Sequence, residues 1–308
     1  MPEIRIGCSP VPPHRRSYFD RFSFGEISQT WMDPVRPQRL RAMRKLMKPD
    51  FELVVTAWRW LTQDPLDERG PAPLGLNKAH TGMLQVTDEN RKIWGLAAQQ
   101  LRASRAHSVL LKTPNTFGPS KTNRTALTQF VKEIIQPGDL QVIWEPRGIW
   151  DYEDALEQAQ ESGVLLASDP FTDGAFPEQL ADKAYYVLTG PHGQARFRED
   201  DLLRLIDFVD EHDEAVTLVV RGDDRERVAS RILRLLETDT GLGEEEVTLD
   251  DEAAAVPMAS VDDDSVWDEL DDDSAWDNVP VEEGDDDDDD GVFDSDEDEL
   301  DEEEDEEK

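Results

Sequence analysis

The feature that most constrains this fold is an eight-fold alternation of short apolar segments with amphipathic, helix-like segments. Short runs of β-branched and apolar residues predict strands, and apolar residues at helical spacing predict helices between them. The predicted strands are IRIGCS (4–9), FGEISQT (24–30), FELVVTAW (51–58), SVLLKT (108–113), QVIWEP (141–146), VLLASDP (164–170), AYYVLTG (184–190) and VTLVVRG (216–222). The first and sixth connections, HRRSYFDRF and PEQLADK, are the weakest helical patterns.

This alternation predicts an α/β fold, and eight strand–helix units over about 240 residues are typical of a TIM-type (β/α)₈ barrel. A doubly wound open sheet is the competing architecture. The segment after the first strand, GCSPVPP, is rich in proline where a dinucleotide-binding fold has G-x-G-x-x-G. We therefore predict a barrel domain over residues 1–240.

The charge distribution predicts where this domain ends. Residues 241–308 contain 35 acidic residues and one lysine, whereas residues 1–240 contain 36 acidic and 31 basic residues. Self-repulsion and few apolar residues predict a disordered acidic tail over 241–308. Inside it, DDDSVWDEL and DDDSAWDNV form a tandem repeat. Trp267 and Trp276 are candidate anchors for a protein partner, and a tail that only solvates the chain is the alternative.

Composition excludes several kinds of site and of cellular location. Cys8 is the only cysteine, which excludes an intramolecular disulfide and a cysteine-based metal cluster. No segment has the form of a signal peptide or approaches the roughly 20 apolar residues of a membrane span. We therefore expect a cytoplasmic protein without a membrane partner. The abundance of acids, with 23 arginines against nine lysines, favours a halophilic, archaeal source.

Candidate site residues cluster at one end of the predicted strands. Active sites of TIM barrels lie at the C-terminal ends of the strands, and nearly every predicted strand here ends in a polar group. The predicted catalytic residues are Glu26, Glu145, Arg147 and His192. The predicted substrate-binding residues are Ser28, Thr30, Trp58, Lys112, Trp150, Asp169 and Arg221.

The segment QVIWEPRGIW (141–150) places two of these candidate residues, Glu145 and Arg147, at the end of one predicted strand. Alternation along the strand puts Val142 and Trp144 on one face and Ile143, Glu145 and Arg147 on the other. If the first pair packs under the helices, Glu145 and Arg147 point to the mouth of the barrel. A guanidinium there can hold a carboxylate or phosphate group of a substrate, and a structural ion pair is the alternative.

The segments IRIGCSP, YFDRFSFGEISQTW, FELVVTAWRWLTQ, VIWEPRGIW and PHGQARF resemble, in order, the conserved blocks of the YecE-like family, domain of unknown function 72. The resemblance covers about residues 3–237. It implies a TIM-type barrel and no established activity. Thr56 stands where that family has a lysine, and LTGPHG lacks its arginine. Arg221 or Lys112 are the candidates to replace these cations.

Two function classes follow. The first is a hydrolase or other acid–base enzyme, in which Glu26 and Glu145 face each other across the barrel mouth and act on a small or phosphate-containing substrate. A divalent metal bound by these carboxylates with Asp169 and His192 is an alternative that no compact motif supports. The sequence identifies no cofactor.

The second class is nucleic-acid binding or processing. Residues 1–140 carry 21 basic and 13 acidic groups, and such an excess can meet phosphates. One predicted helix contains six cations: Arg36, Arg39, Arg41, Arg44, Lys45 and Lys48. Trp58, Trp60 and Trp94 are candidates to stack on bases. An ordinary surface, neutralised by the chain's own acids, is the alternative, and so is a non-catalytic scaffold whose tail binds partners.

Overall fold

Eight parallel strands form a closed barrel in the computed structural model, which describes residues 3–171, 183–190, 197–212 and 215–239. The strands are β1 (Ile4–Ser9), β2 (Phe24–Ile27), β3 (Glu52–Thr56), β4 (Ser108–Lys112), β5 (Gln141–Glu145), β6 (Leu165–Ser168), β7 (Ala184–Leu188) and β8 (Val216–Arg221). Each strand pairs with its neighbours in sequence, and β1 closes on β8 over six residue pairs, from Ile4–Val216 to Ser9–Arg221. The predicted barrel is confirmed.

Helices connect the strands on the outside of the barrel. They are α1 (Arg16–Arg21), α2 (Pro37–Arg44), α3 (Asp88–Ser104), α4 (Lys121–Phe130), α5 (Tyr152–Ser162), α6 (Glu199–Asp210) and α7 (Arg225–Asp239). Local signals fix several of their ends. The Thr87 hydroxyl caps α3 by accepting from the backbone N–H of Asn90, and two acids follow in the first turn of this helix. The helix predicted between β6 and β7, PEQLADK, covers residues 177–183, of which 177–182 lie outside the described residues.

Two apolar layers hold the barrel together. The inner layer fills the barrel with one or two side chains from most strands, namely Phe24, Val54, Leu110, Ile143, Ala167, Tyr185, Val187 and Val219. The outer layer lies between strands and helices and includes Val142 and the fully buried Trp144. This agrees with the alternation predicted for QVIWEPR, since Ile143 faces inward and its two neighbours face the helices.

Gly7 allows the first two strands to approach closely. A Cβ atom at this position of β1 would lie 2.2 Å from the Phe24 carbonyl oxygen of β2. Only a residue without a side chain fits against that backbone. The sequence therefore needs glycine in the middle of a strand where an apolar residue would otherwise be favoured.

All described residues belong to one compact unit that spans residues 1–246. Within the part of the chain that is described, no helix is both long and apolar enough to cross a membrane. The predicted acidic tail, with Trp267 and Trp276, lies outside the described residues and stays a prediction.

Candidate active site

Arg221, the last residue of β8, lies at the centre of the C-terminal end of the barrel. Its guanidinium donates to Glu145, the last residue of β5, from Nη1 to Oε1 at 2.8 Å and from Nη2 to Oε2 at 2.7 Å. The planar guanidinium matches both carboxylate oxygens, so this ion pair has a fixed geometry. The two side chains are only 15% and 13% exposed, so water screens their attraction weakly.

Glu26, from β2, binds the same guanidinium and is completely buried. Nη2 of Arg221 lies 3.2 Å from its Oε2 and 3.4 Å from its Oε1. Three hydroxyl groups also donate to this carboxylate, from Ser9 at 2.8 Å, Thr56 at 3.3 Å and Tyr185 at 3.2 Å. These donors compensate the burial of a charge, and Glu26 in turn fixes the position of Arg221.

The two carboxylates are therefore bridged, which differs from the open pair predicted from the sequence. Glu26 and Glu145 share the Arg221 guanidinium. A pair that works as acid and base on a glycoside, in the inverting geometry, needs room for a water molecule between the two groups. This geometry favours a positioning role for Glu26 and leaves Glu145 as the carboxylate that reaches the open space.

Two further cations flank Glu145. The Lys112 amine, at the end of β4, lies 3.8 Å from Oε2, and Nη2 of Arg147 lies 3.9 Å from Oε1. The Lys112 side chain is 13% exposed, and that of Arg147 is 56% exposed. The Lys112 amine donates no hydrogen bond to any of the described residues. With Arg221 and Glu26, the group carries three positive and two negative charges when all are ionised.

This arrangement shifts the pKa values of the site. Burial alone would raise the pKa of the Glu145 carboxyl, but the Arg221 hydrogen bonds and the charges of Arg221, Lys112 and Arg147 hold it below its usual range. Burial lowers the pKa of Lys112, and the Glu145 charge only partly opposes that effect. Burial and the Glu26 charge raise the pKa of Tyr185. Glu145 is therefore ionised, Tyr185 is neutral, and Lys112 loses its proton more readily than an exposed lysine.

A cavity of about 390 Å³ opens beside this group. Glu145 and Arg221 form one part of its lining, and the loop after β5 forms another. The remaining lining comes from the ends of β6 and β7, the start of α5 and the loop after β4. The polar and aromatic lining residues are Asn115, Glu145, Arg147, Trp150, Tyr152, Ser168, Asp169, Thr189 and Arg221. The volume is in the range of small-molecule sites.

Asp169 and Trp150 are held rigidly in the cavity wall. The Asp169 carboxylate accepts from the backbone N–H groups of Thr189, at 3.1 Å, and Phe171, at 3.0 Å, and from the Thr189 hydroxyl. The Trp150 indole donates to the Phe117 carbonyl at 2.6 Å and packs edge-on against Trp144. Both side chains therefore present a fixed surface to a ligand.

Three of the predicted substrate-binding residues lie elsewhere. β2 ends at Ile27, and a 3₁₀ turn over Ser28–Trp31 follows it, so Ser28 and Thr30 are not on the strand. The buried Thr30 hydroxyl donates to the carbonyls of Ile27 and Thr56. Trp58 is buried and donates to the Met32 carbonyl at 2.9 Å. These three residues do not line the cavity, and the contacts of Thr30 and Trp58 hold the loops after β2 and β3 in place.

The other predicted residues divide simply. Glu145, Arg147, Trp150, Asp169 and Arg221 line the cavity. Lys112 and Glu26 do not line it. Lys112 lies beside Glu145, and Glu26 is paired with Arg221. His192 lies outside the described residues.

Sequence analysis missed the residues that support Glu26. Tyr185 lies near the start of β7, whereas the candidate residues were chosen at the C-terminal ends of the strands. Its signal was the alternation in AYYVL (184–188), which puts Tyr185 and Val187 on the inner face. Asn115 and Tyr152 of the cavity wall carry no comparable signal, because their positions depend on loop geometry.

The predicted nucleic-acid surface lacks its aromatic part. Trp58 and Trp60 are buried, and Trp94 packs against the outer core. The rings of Trp58 and Trp60 are therefore unavailable for stacking on bases, and that of Trp94 is only partly exposed. Among the described residues, no group of three or more metal-ligating side chains could hold a metal ion.

Comparison with known proteins gives a likeness of fold. No family model and no curated protein matches the chain. A DUF72 family protein from Enterococcus faecalis matches with a TM-score of 0.56 and 13% identity, over 77% of this chain and 98% of that one. A DUF72 family protein from Thermotoga maritima matches with a TM-score of 0.53 and 16% identity, over 76% of this chain and 99% of that one. A D-tagatose 3-epimerase-like protein matches with a TM-score of 0.50 and 12% identity, over 78% of this chain and 100% of that one. At these identities the likeness concerns the fold.

Proposed function

We propose that this chain is a divergent member of the YecE-like (DUF72) family, and that its barrel is a hydrolase or other acid–base enzyme for a small substrate with a carboxylate or phosphate group. The DUF72 proteins among its structural neighbours and the ordered motifs from IRIGCSP to PHGQARF support the family. The cavity beside Arg221 supports the enzyme.

The observation that carries this proposal is the environment of Lys112. Its amine is largely buried, lies 3.8 Å from the ionised Glu145, and has a lowered pKa because of burial. A catalytic acid or base works best when its pKa is near the working pH. Enzymes bring lysine into that range by burial and by neighbouring charges. Lys112 does not line the cavity, but its amine lies beside Glu145, which does. We therefore assign to Lys112 the role of taking a proton from the substrate through one bridging water and returning it.

The other charged residues have distinct roles in this proposal. Arg147 is the most exposed cation of the site and lines the cavity, so it binds the anionic group of the substrate. Glu145 stabilises the ammonium form of Lys112 after it takes the proton. Arg221 keeps Glu145 ionised, and Glu26 positions Arg221. His192, predicted to be catalytic, stays a prediction.

Ligand binding tests the role of Arg147. A thermal-shift screen of carboxylated and phosphorylated metabolites should find anions that stabilise the protein, because a ligand that binds the folded state adds RT ln(1 + [L]/Kd) to its stability. Arg147→Ala should weaken the best of these at least tenfold. Arg69→Ala removes another exposed arginine that is not part of the cavity lining, and it should leave binding unchanged. Equal binding by Arg147→Ala and wild type would refute the anion site.

Turnover tests the role of Lys112. With a substrate from the same screen, Lys112→Met should lower kcat by about 10²–10⁴-fold, the range for loss of a general acid or base, with little change in KM. Glu145→Gln should shift the pH at which activity appears to lower values, because the Glu145 charge raises the pKa of Lys112. An unchanged pH profile in Glu145→Gln would contradict proton transfer by Lys112.

A further inference from the structure

A second cavity, of about 380 Å³, is lined mainly by cations. We call it the basic cavity. Its lining residues are Arg41, Arg44, Lys45, Met47, Lys48, Pro49, Ala103 and Arg105. Five of these eight residues are positively charged, and none of them is acidic. The cavity lies where α2 and α3 end, just before β3 and β4 begin. It is therefore at the N-terminal end of the strands, opposite the proposed active site.

No ion pair with another described residue neutralises the positive charge in the basic cavity. Arg44 donates to the carbonyls of Phe51 and Pro49, at 2.6 and 2.8 Å, and Lys48 donates to the Asp20 carbonyl at 2.6 Å. Carbonyl groups fix these side chains but carry no formal charge.

The other three cations, Arg41, Lys45 and Arg105, have neither a hydrogen bond nor an ion pair from their side chains to the described residues. Burial, and then the charge of Arg105, lower the pKa of Arg44, while Asp50 acts in the opposite direction. The cations therefore repel one another across the cavity.

Helix ends account for only part of this cluster. A cation near the C-terminus of a helix interacts favourably with the helix dipole, which explains individual residues such as Arg41 and Arg44. Arg105 differs, because it follows α3 in the left-handed conformation, with φ 54°. Glycine or asparagine is the usual residue there. An arginine at this position, aimed at a cavity that already holds four cations, points to a ligand.

We propose that the basic cavity binds a compact ligand with two or more phosphate groups. Arginine can hold a phosphate through two parallel hydrogen bonds, and lysine binds one as a point charge. Arg44 and Lys48, held by backbone carbonyls, are already ordered for this role. The concave shape and the absence of aromatic residues from this lining favour a small oligophosphate over a single-stranded nucleic acid, which needs stacking surfaces. The site is independent of the function proposed for the other end of the barrel.

Calorimetric titration of the full chain with inorganic pyrophosphate tests this proposal. Arg41→Ala, Lys45→Ala and Arg105→Gly are combined in one variant, since glycine suits the backbone at residue 105. We expect the variant to bind at least tenfold more weakly than wild type. The matched control combines Lys92→Ala, Lys121→Ala and Lys132→Ala, which removes three exposed cations elsewhere. It should bind pyrophosphate within twofold of wild type.

Three results would overturn the proposal. They are an absence of pyrophosphate binding by wild type, an equal loss in the control variant, and much tighter binding of a single-stranded oligonucleotide that the cavity variant alone loses. The last result would make the cavity part of a nucleic-acid surface. Thermal unfolding shows whether the triple variant folds. If it does not, Arg105→Gly alone should still weaken binding about threefold, and unchanged binding by this single variant would also reject the site.

Discussion

At the scale of residues, the site depends on one guanidinium between two carboxylates. Arg221 forms ion pairs with both Glu145 and the fully buried Glu26. Removal of one partner from a buried ion pair is costly, because the remaining charges stay buried without compensation. The arginine is therefore as important for stability as for chemistry.

Arg221→Met should destabilise the protein by about 3–5 kcal/mol at neutral pH, the usual cost of an uncompensated buried charge. In wild type, Arg221 holds the pKa of Glu145 below its unfolded value. That contribution to stability is present above the unfolded pKa and is lost as the pH falls through the folded one. In the variant, burial raises the pKa of Glu145, so protonation relieves the cost as the pH falls.

Urea unfolding at pH 7.5 and pH 5 measures this difference. The gap in unfolding free energy between wild type and Arg221→Met should shrink at pH 5. Arg227→Met is the control, because it removes an exposed partner of Asp224 and should cost less than about 1 kcal/mol at both pH values. A gap that is the same at both pH values would show that protonation of Glu145 does not relieve the loss of Arg221.

Part of this site could be predicted from residues alone. Glu145 and Arg147 follow from alternation along one strand, and Arg221 follows from its place at a strand end. The bridge between Glu26 and Glu145 could not be predicted, because it needs the register of a strand far away in sequence. Ser28, Thr30 and Trp58 were misplaced because β2 and β3 end earlier than predicted. The Thr30 hydroxyl donates to the carbonyls of Ile27 and Thr56, the last residues of these two strands.

At the scale of elements, the contact between β1 and β2 depends on Gly7. Gly7→Ala would place a methyl group 2.2 Å from the Phe24 carbonyl oxygen, so the strands must move apart. We expect a loss of at least about 1–3 kcal/mol, the range for overpacking a dense core. Gly95→Ala in α3 is the matched change, since a Cβ there meets no atom within 4 Å. It should stabilise the protein by about 0.5–1 kcal/mol.

Chemical denaturation of these two variants gives the comparison. Opposite signs are expected from the same substitution in a strand and in a helix. Equal effects would mean that the barrel adjusts freely around Gly7.

The elements themselves were largely predictable. All eight strands occur where apolar runs indicate them, and each begins within one residue of the prediction. Their C-terminal ends were predicted up to three residues too long. FGEISQT was predicted to be a strand up to Thr30, but β2 ends at Ile27, where the Thr30 hydroxyl donates to the Ile27 carbonyl. Such a turn has no signature in the pattern of hydrophobicity.

At the scale of the whole molecule, the barrel should not need residues 241–308. The eight strands and the helices around them lie within residues 3–239. The acidic segment adds 35 acids and one lysine, which gives it little apolar surface to bury. A chain that ends at residue 240 should unfold within about 1 kcal/mol of the full chain at matched ionic strength, where charge repulsion is equally screened. A large fall in melting temperature at constant salt would contradict this.

The tandem repeat in that segment gives a separate prediction. We propose that Trp267 and Trp276 anchor a protein partner, while the aspartates around them steer it through a basic surface. The double variant Trp267→Ala with Trp276→Ala keeps every charge of the segment. If the tryptophans are the anchors, this variant should no longer pull down the partner; if charge alone binds it, the partner should still be pulled down. Retention of the same partners by the double variant would reduce the segment to a solvating chain.

The closure of β1 on β8 sets the moment during synthesis at which the site first exists. Glu26 and Arg221 are 195 residues apart, and at about 5–20 residues per second the ribosome takes on the order of ten seconds or more to make that stretch. Before Arg221 is synthesised, Glu26 and Glu145 have no ion pair with it. We expect a nascent chain stalled before residue 216 to be digested by a protease, and one stalled well beyond residue 239 to resist it. An incomplete product of translation would thus be removed before it could bind a substrate.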